Sequence, residues 1–188
     1  MVKSKTLLSL LELVAHTEHD VHVVVATEGY TTAENRNYCV FQALKNGSDF
    51  LLFVDDDMTL PSDTIERLMA HGKEIVGVAS NSRVLPKSPT VGLMDEEGNY
   101  LHPDRTSPHR MKIPTSLFKA YFVGTGVMLI DMKIFEKLPR PWFKFITDEN
   151  GQITKGEDGY FCEQAKKHGY DIWCDPTLEI GHLGDFCY

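Results

Sequence analysis

With 188 residues, 42% of them hydrophobic and 24% charged, the chain is long enough for one domain with a sizeable core and too short for two. A net charge of −8 argues against broad attachment to a nucleic-acid backbone, which needs a basic face, although a modified nucleic acid stays open as an acceptor. No apolar run reaches the roughly 18 residues of a membrane helix, and the cysteines lack CxxC spacing, which points to reduced thiols in a cytoplasmic setting.

In chain order, Leu7, Leu8, Leu10, Leu11 and Val14 predict an amphipathic helix over 6–15. Ser9 and Glu12 interrupt its apolar run and no small-residue cleavage site follows, so the start does not read as a signal peptide. The run VHVVVA predicts a strand over 21–26. A loop follows, and then a helix over 33–46 that stops at Gly47. FLLFV over 50–54 reads as a strand buried on both faces. Pro61 suits the first turn of a helix running to about residue 71, and EIVGVA predicts a strand over 74–79. This α-β-α-β-α-β order predicts an α/β fold with a mainly parallel central sheet covered by helices.

Between 80 and 114 the prolines Pro86, Pro89, Pro103, Pro108 and Pro114 predict irregular loops with a hairpin near Glu97-Gly98-Asn99, read either as a substrate loop or as surface filler. Strand character resumes over 117–130, around Gly124-Thr125-Gly126. A short helix over 131–138, a helix over 159–168 and a strand over 171–174 complete the pattern. Trp142-Phe143-Lys144-Phe145 reads either as an acceptor platform or, more conventionally, as core.

Three constellations carry chemistry. Asp55, Asp56 and Asp57 end the 50–54 strand, where open α/β sheets place ligands. Alternation along an extended backbone would turn Asp55 and Asp57 the same way, and paired carboxylates suit Mg²⁺ or Mn²⁺. Strand termination and helix capping explain one aspartate there, but three carry a like-charge cost that a structural role does not need. Glu157 and Asp158 open a helix between glycines. The helix dipole alone favours acids at that point, and a carboxylate there also suits a general base or a sugar-hydroxyl contact. His182, between Gly181 and Gly184, is a candidate metal ligand.

Taken in order, Ser9-Leu10-Leu11, Arg36-Asn37, Asp55-Asp56-Asp57, Gly124-Thr125-Gly126, Glu157-Asp158 and His182 resemble a GT-A glycosyltransferase of the family-2-like and polypeptide-GalNAc-transferase-like group. The resemblance covers nearly the whole chain. It implies a single three-layer α/β/α, Rossmann-like domain over 1–188, with 1–80 the nucleotide-binding half and 81–188 the acceptor side. It implies transfer of a sugar from a nucleotide-sugar donor, a UDP-sugar first, to an acceptor hydroxyl with Mn²⁺ or Mg²⁺. Asp57 and His182 would hold the metal. Asp55 would share it or bind the ribose. Thr27, Glu28, Arg36 and Asp56 would line the nucleotide pocket, and Gly124, Thr125 and Gly126 would lie against the sugar. Asp158, beside Glu157, would be the base of an inverting enzyme or a sugar contact in a retaining one. A homo-oligomer is compatible with this reading.

Members of that group begin with a strand ahead of the first helix, and this chain opens almost directly in the helix. That implies a minimal form, a shortened one, or an edge supplied by a partner. Two rivals stand beside this reading. Val54-Asp55-Asp56-Asp57-Met58-Thr59 fits a haloacid-dehalogenase-type Mg²⁺ phosphatase, whose nucleophile, however, normally lies on the first strand. The other rival is an inactive, metal-stabilised carbohydrate-binding scaffold.

Overall fold

The computed structural model describes residues 2–26, 29–81, 89–94, 100–101 and 112–184, so Thr27, Glu28 and most of the proline-rich stretch lie outside the described residues. The elements are α1 (Ser4–His16), α2 (Thr32–Asn46), β1 (Phe50–Val54), β2 (Met58–Thr59), α3 (Thr64–Ala70), β3 (Ile75–Val78), β4 (Val91–Met94) and β5 (Tyr100–Leu101). They continue with β6 (Phe118–Ala120), β7 (Phe122–Val123), β8 (Val127–Asp131), α4 (Lys133–Lys137), β9 (Ile146–Thr147), β10 (Ile153–Lys155), α5 (Glu157–Lys167), β11 (Ile172–Asp175) and β12 (Gly181–His182). No helix among the described residues is long and apolar enough to cross a membrane.

Local chemistry sets the ends of these elements. Thr31 and Glu34 form a capping box at the start of α2, and Gly47 ends that helix at φ 71° in the left-handed region. Pro61 sits one turn before its helix: the Pro61 carbonyl accepts both the amide and the hydroxyl of Thr64, and α3 begins only there.

The central sheet corrects the expectation of mainly parallel strands. Its order is β1-β8-β3-β11-β6. The β3–β11 pair is parallel, while β1–β8, β8–β3 and β11–β6 are antiparallel. The predicted 117–130 strand is in fact three: β6, β7 and, after a turn through Gly124-Thr125-Gly126, β8. β8 then inserts between β1 and β3, with Val54 opposite Val127 and Ile75 opposite Ile130. The α/β alternation of the first half carries no trace of this later insertion. β4 and β5 pair antiparallel, with the expected turn at Glu97-Gly98-Asn99 outside the described residues, and β4 also pairs with β7.

The segment 21–26 corrects a second expectation, because it joins no sheet among the described residues. Its valines stand open, Val23 at 63% and Val25 at 70% exposure. β-branched composition favours an extended backbone, but a strand exists only where a neighbour completes its hydrogen bonds.

Alternate residues of the central strands feed two hydrophobic clusters. Met128 and Ile130 of β8 join Val40 and Ala43 of α2 and Phe161 and Ala165 of α5. Val127 and Leu129 of the same strand join Leu13 of α1 and Ile65 and Leu68 of α3. This is the period-2 pattern of a sheet covered on both faces. The first cluster is strongly aromatic: Phe143 stacks on Phe161 at 4.8 Å and meets Phe53 edge-on at 5.4 Å. Trp142 and Phe143 are both buried and belong to this core rather than to an acceptor platform. Asn37 fixes them there. Its Oδ1 accepts the amides of Trp142 and Phe143, and its Nδ2 donates to the carbonyls of Ala33 and Phe143.

Candidate active site

The aspartates leave β1 in a turn. Asp55 continues the ladder by donating its amide to the Gly126 carbonyl at 2.9 Å, and Met58 N–H then closes back on the Asp55 carbonyl at 3.1 Å. The extended alternation assumed for three successive acids therefore stops at Asp55. Asp55 Oδ2 would lie 3.3 Å from a Cβ placed on Gly126, so the glycine leaves room for that carboxylate. Asp56 is exposed, and its carbonyl accepts the Lys3 amide at 3.2 Å. Asp57 is folded inward to 5% exposure.

The short β2–β12 ribbon brings His182 to Asp57. Met58 pairs with His182 and Thr59 with Gly181, and the Leu183 amide donates to the Asp57 carbonyl at 2.7 Å. A Cβ on Gly181 would run into Thr59 Oγ1, so the missing side chain lets the two strands lie this close. His182 Nε2 stands 3.3 Å from Asp57 Oδ1, while Nδ1 lies 2.7 Å from the Asn81 carbonyl. A carbonyl only accepts, so Nδ1 carries a proton. Nε2 is then the ring nitrogen that faces the carboxylate.

A second charged group lies behind the aspartates. Arg36 of α2 is only 8% exposed. Its Nη1 contacts Glu157 Oε1 at 2.5 Å, its Nη2 lies 3.5 Å from Asp55 Oδ1, and its guanidinium carbon is 5.9 Å from the centre of the Phe143 ring. It thus joins the end of β1 to the start of α5. Beside it, burial pushes the Asp158 carboxyl above the usual carboxylate range; the Arg36 charge opposes this and the Glu157 charge adds to it. Asp158 Oδ1 accepts the Gly159 amide at 2.8 Å.

The sequence-predicted residues therefore separate into two groups. Asp57 meets His182, and Asp55 meets Arg36, which holds Glu157 next to Asp158. The expected Asp55, Asp57 and His182 trio is not assembled: no group of three or more His, Cys, Asp or Glu among the described residues is placed to hold a metal ion. The turn after Asp55 is the physical reason. Gly124 packs on Thr90, and a Cβ there would sit 3.1 Å from the Thr90 Cβ. Thr125 is fully buried, with its hydroxyl unpartnered among the described residues, so it faces the interior. Asn81, which fixes the His182 ring, was invisible to sequence reasoning because it acts through its backbone carbonyl. Burial pushes the thiols of Cys162 and Cys174 each up to about 12, which leaves neither as a nucleophile.

A cavity of about 1430 Å³ runs along β1, and Arg36, Asp55, Asp56, Asp57 and His182 all line it. No protein-family model and no curated protein matches the sequence. Among solved structures, the chain is similar to A197 from STIV, with a TM-score of 0.66 and 19% identity over 98% of this chain and 83% of that one. It is also similar to GalNAc-T7 with UDP, GalNAc and Mn²⁺, with a TM-score of 0.52 and 15% identity over 81% of this chain. The chain spans only 30% of that GalNAc-T7 chain. At these identities the likeness shows a GT-A-like fold and nothing finer.

Proposed function

We propose that this chain is a metal-dependent glycosyltransferase that moves a sugar from a nucleoside-diphosphate donor, a UDP-sugar in the first instance, to an acceptor hydroxyl. The observation that carries this reading is His182 Nε2 at 3.3 Å from Asp57 Oδ1, with Nδ1 committed to the Asn81 carbonyl. A ring nitrogen and a carboxylate oxygen at that separation would share one cation, and an imidazole anchored through its other nitrogen is the usual form of a metal-ligating histidine. An imidazole nitrogen beside a carboxylate oxygen fits Mn²⁺ or Mg²⁺ as a donor pair. Such an ion neutralises the charge that develops on a leaving diphosphate.

The rest belongs to the chain's own side chains. Asp57 and His182 would hold the ion. Asp55, oriented by Arg36, would face the donor ribose, with exposed Asp56 at the cavity mouth. Residues 1–80 supply the donor side and 81–188 the acceptor side. In an inverting route Asp158 takes the acceptor hydroxyl proton while that oxygen bonds to the anomeric carbon and the bond to the phosphate oxygen breaks. Its raised pKa moves it toward the value a base needs near neutral pH. The fold likeness to GalNAc-T7 with UDP, GalNAc and Mn²⁺ supports this assignment at the level of fold.

Calorimetric titration of UDP with and without Mn²⁺ tests it. UDP should bind the wild-type protein only when Mn²⁺ is present, and Asp57→Ala should abolish that binding. Equal UDP affinity for both proteins refutes the assignment. Stabilisation by Mg²⁺ with a phosphate mimic alone would favour a phosphatase, and a metal effect without any nucleotide effect would favour a scaffold.

A further inference from the structure

Lys3 stands at the start of α1, where its chemistry serves the helix poorly. A good N-cap is a short side chain whose oxygen accepts a helix amide, and the positive end of the helix dipole disfavours an ammonium. Lys3 makes no side-chain cap, and no acidic residue in the first turn offsets its charge. Each end of the residue is nevertheless engaged. Its carbonyl accepts the Leu7 amide at 3.0 Å, its own amide donates to the Asp56 carbonyl at 3.2 Å, and its Nζ donates to the Leu183 carbonyl at 2.5 Å.

The last two bonds reach the neighbours of the Asp57–His182 pair. Asp56 precedes Asp57 in the turn that Met58 N–H closes on the Asp55 carbonyl, and Leu183 follows His182 at the end of β12. Leu183 N–H in turn donates to the Asp57 carbonyl at 2.7 Å. These bonds form a closed circuit. It runs from the Lys3 amide to Asp56, across the Asp56–Asp57 peptide, from the Asp57 carbonyl to Leu183, and from the Leu183 carbonyl back to Lys3 Nζ. The circuit closes the open end of the β2–β12 ribbon, which pairs only Met58 with His182 and Thr59 with Gly181. A two-stranded ribbon is marginal by itself, so a bond from outside decides how far β12 can drift from Asp57. Lys3 is half-buried and does not line the cavity, which leaves it committed to the ribbon rather than open to a ligand.

We infer that Lys3 is a positioning residue that clamps β12 to the aspartate turn and so sets the approach of His182 Nε2 to Asp57 Oδ1. The inference rests on the proposed role of that pair as ligands of one cation. Lys3 acts through the ribbon and needs no contact with the ion or the donor. Its ammonium is the stronger half of the clamp, because a charged donor makes a hydrogen bond roughly twice as strong as a neutral one. A neutral side chain at this position keeps the backbone bond to Asp56 and loses the bond to Leu183.

Lys3→Met keeps the apolar stem and the backbone amide and removes the Nζ donor alone. Hydrogen exchange on the full chain reads the clamp without any ligand. The Leu183 amide should exchange roughly tenfold faster in Lys3→Met. The Leu7 and Thr17 amides at the two ends of α1, bonded to the Lys3 and Leu13 carbonyls, should keep their wild-type rates. Lys3→Arg retains a charged donor and should restore protection at Leu183. In calorimetric titration, Mn²⁺-dependent UDP binding should weaken by roughly 10–100-fold in Lys3→Met, as when the outer support of a metal ligand is lost, and recover in Lys3→Arg. Unchanged exchange at Leu183 in Lys3→Met overturns the inference. So does equal acceleration at Leu7 and Thr17, which would make Lys3 an anchor of α1 only. Undiminished UDP binding in a Lys3→Met protein whose Leu183 amide has been freed overturns it as well. If the wild type binds no UDP with Mn²⁺, the transferase reading fails by itself, and a selective gain of exchange at Leu183 that Lys3→Arg reverses still supports the clamp.

Discussion

Arg36 Nη1 meets Glu157 Oε1 at 2.5 Å with both side chains about nine-tenths buried. The two residues come from α2 and α5, and through Arg36 Nη2 the same guanidinium reaches Asp55 at the end of β1. A buried ion pair gives little net stability over an apolar isostere, but removal of one partner strands a charge. Its role here is positional: it fixes the angle at which Glu157 and Asp158 are presented behind the aspartates.

Arg36→Met should therefore destabilise the fold by roughly 3–5 kcal/mol, because Glu157 is left buried and unpaired. The double variant R36M/E157L should recover most of that loss. Urea unfolding of the wild type, Arg36→Met, Glu157→Leu and the double variant measures the cycle. A loss below about 1 kcal/mol in the single variant would mean that Glu157 swings into solvent and that the strut does not exist.

Phe143→Ala should cost roughly 3–5 kcal/mol, since it opens the centre of the stack between Phe53 and Phe161. Asn37→Ala should cost roughly 2–3 kcal/mol by stranding the amides of Trp142 and Phe143. Denaturant midpoints check both. A residue serving only as a surface acceptor platform would leave stability almost unchanged.

Much of the site was legible because its residue types announce themselves. Three acids at the end of an apolar strand, an acidic pair between glycines and a glycine-flanked histidine all stand out without coordinates. What the sequence could not convey was who meets whom. β2 and β12 are two residues long each, too short for any periodic signal, yet they bring His182 to Asp57. The same gap hid the sheet. β8 separates β1 from β3 by coming back late in the chain, and nothing in FLLFV or EIVGVA encodes that neighbour. VHVVVA reads as a strand on composition alone, but pairing needs a neighbouring edge, and among the described residues 21–26 pairs with none. Arg36 was expected at the nucleotide; its burial against Glu157 depends on α5 packing beside α2, a long-range fact.

Asp158→Asn should raise stability at neutral pH while lowering transfer. The sign follows from the direction of the shift. Burial raises the folded-state pKa of Asp158 above its unfolded value, so between those two values the folded protein binds more protons. Stability therefore falls as pH rises through that window, and above it the ionised carboxylate carries a penalty. The amide removes the penalty and can still accept the Gly159 amide through Oδ1. Melting temperatures across acid to neutral pH should show the variant above the wild type at neutral pH, with the gap closing as the pH falls. If the two curves stay parallel throughout, Asp158 is a cap whose ionisation is not coupled to folding.

Gly181→Ala tests the geometry of the Asp57–His182 pair without removing either residue. A Cβ at Gly181 runs into Thr59 Oγ1, while Thr59 Cβ itself would be 3.7 Å away, within ordinary contact. The added methyl must therefore push β12 off β2 and carry His182 Nε2 away from Asp57 Oδ1. Thr59→Ala removes the obstructing hydroxyl and should have little effect on its own. Mn²⁺-dependent UDP binding should weaken by roughly 10–100-fold in Gly181→Ala, the range seen when the support of a metal ligand is disturbed. It should return to within a few fold in the G181A/T59A double variant, because the ribbon can close again. Full binding in the single variant would show that the ribbon does not set the approach of His182 to Asp57. Failure of the double variant to recover, with both proteins folded, would place the effect of residue 181 outside its contact with Thr59.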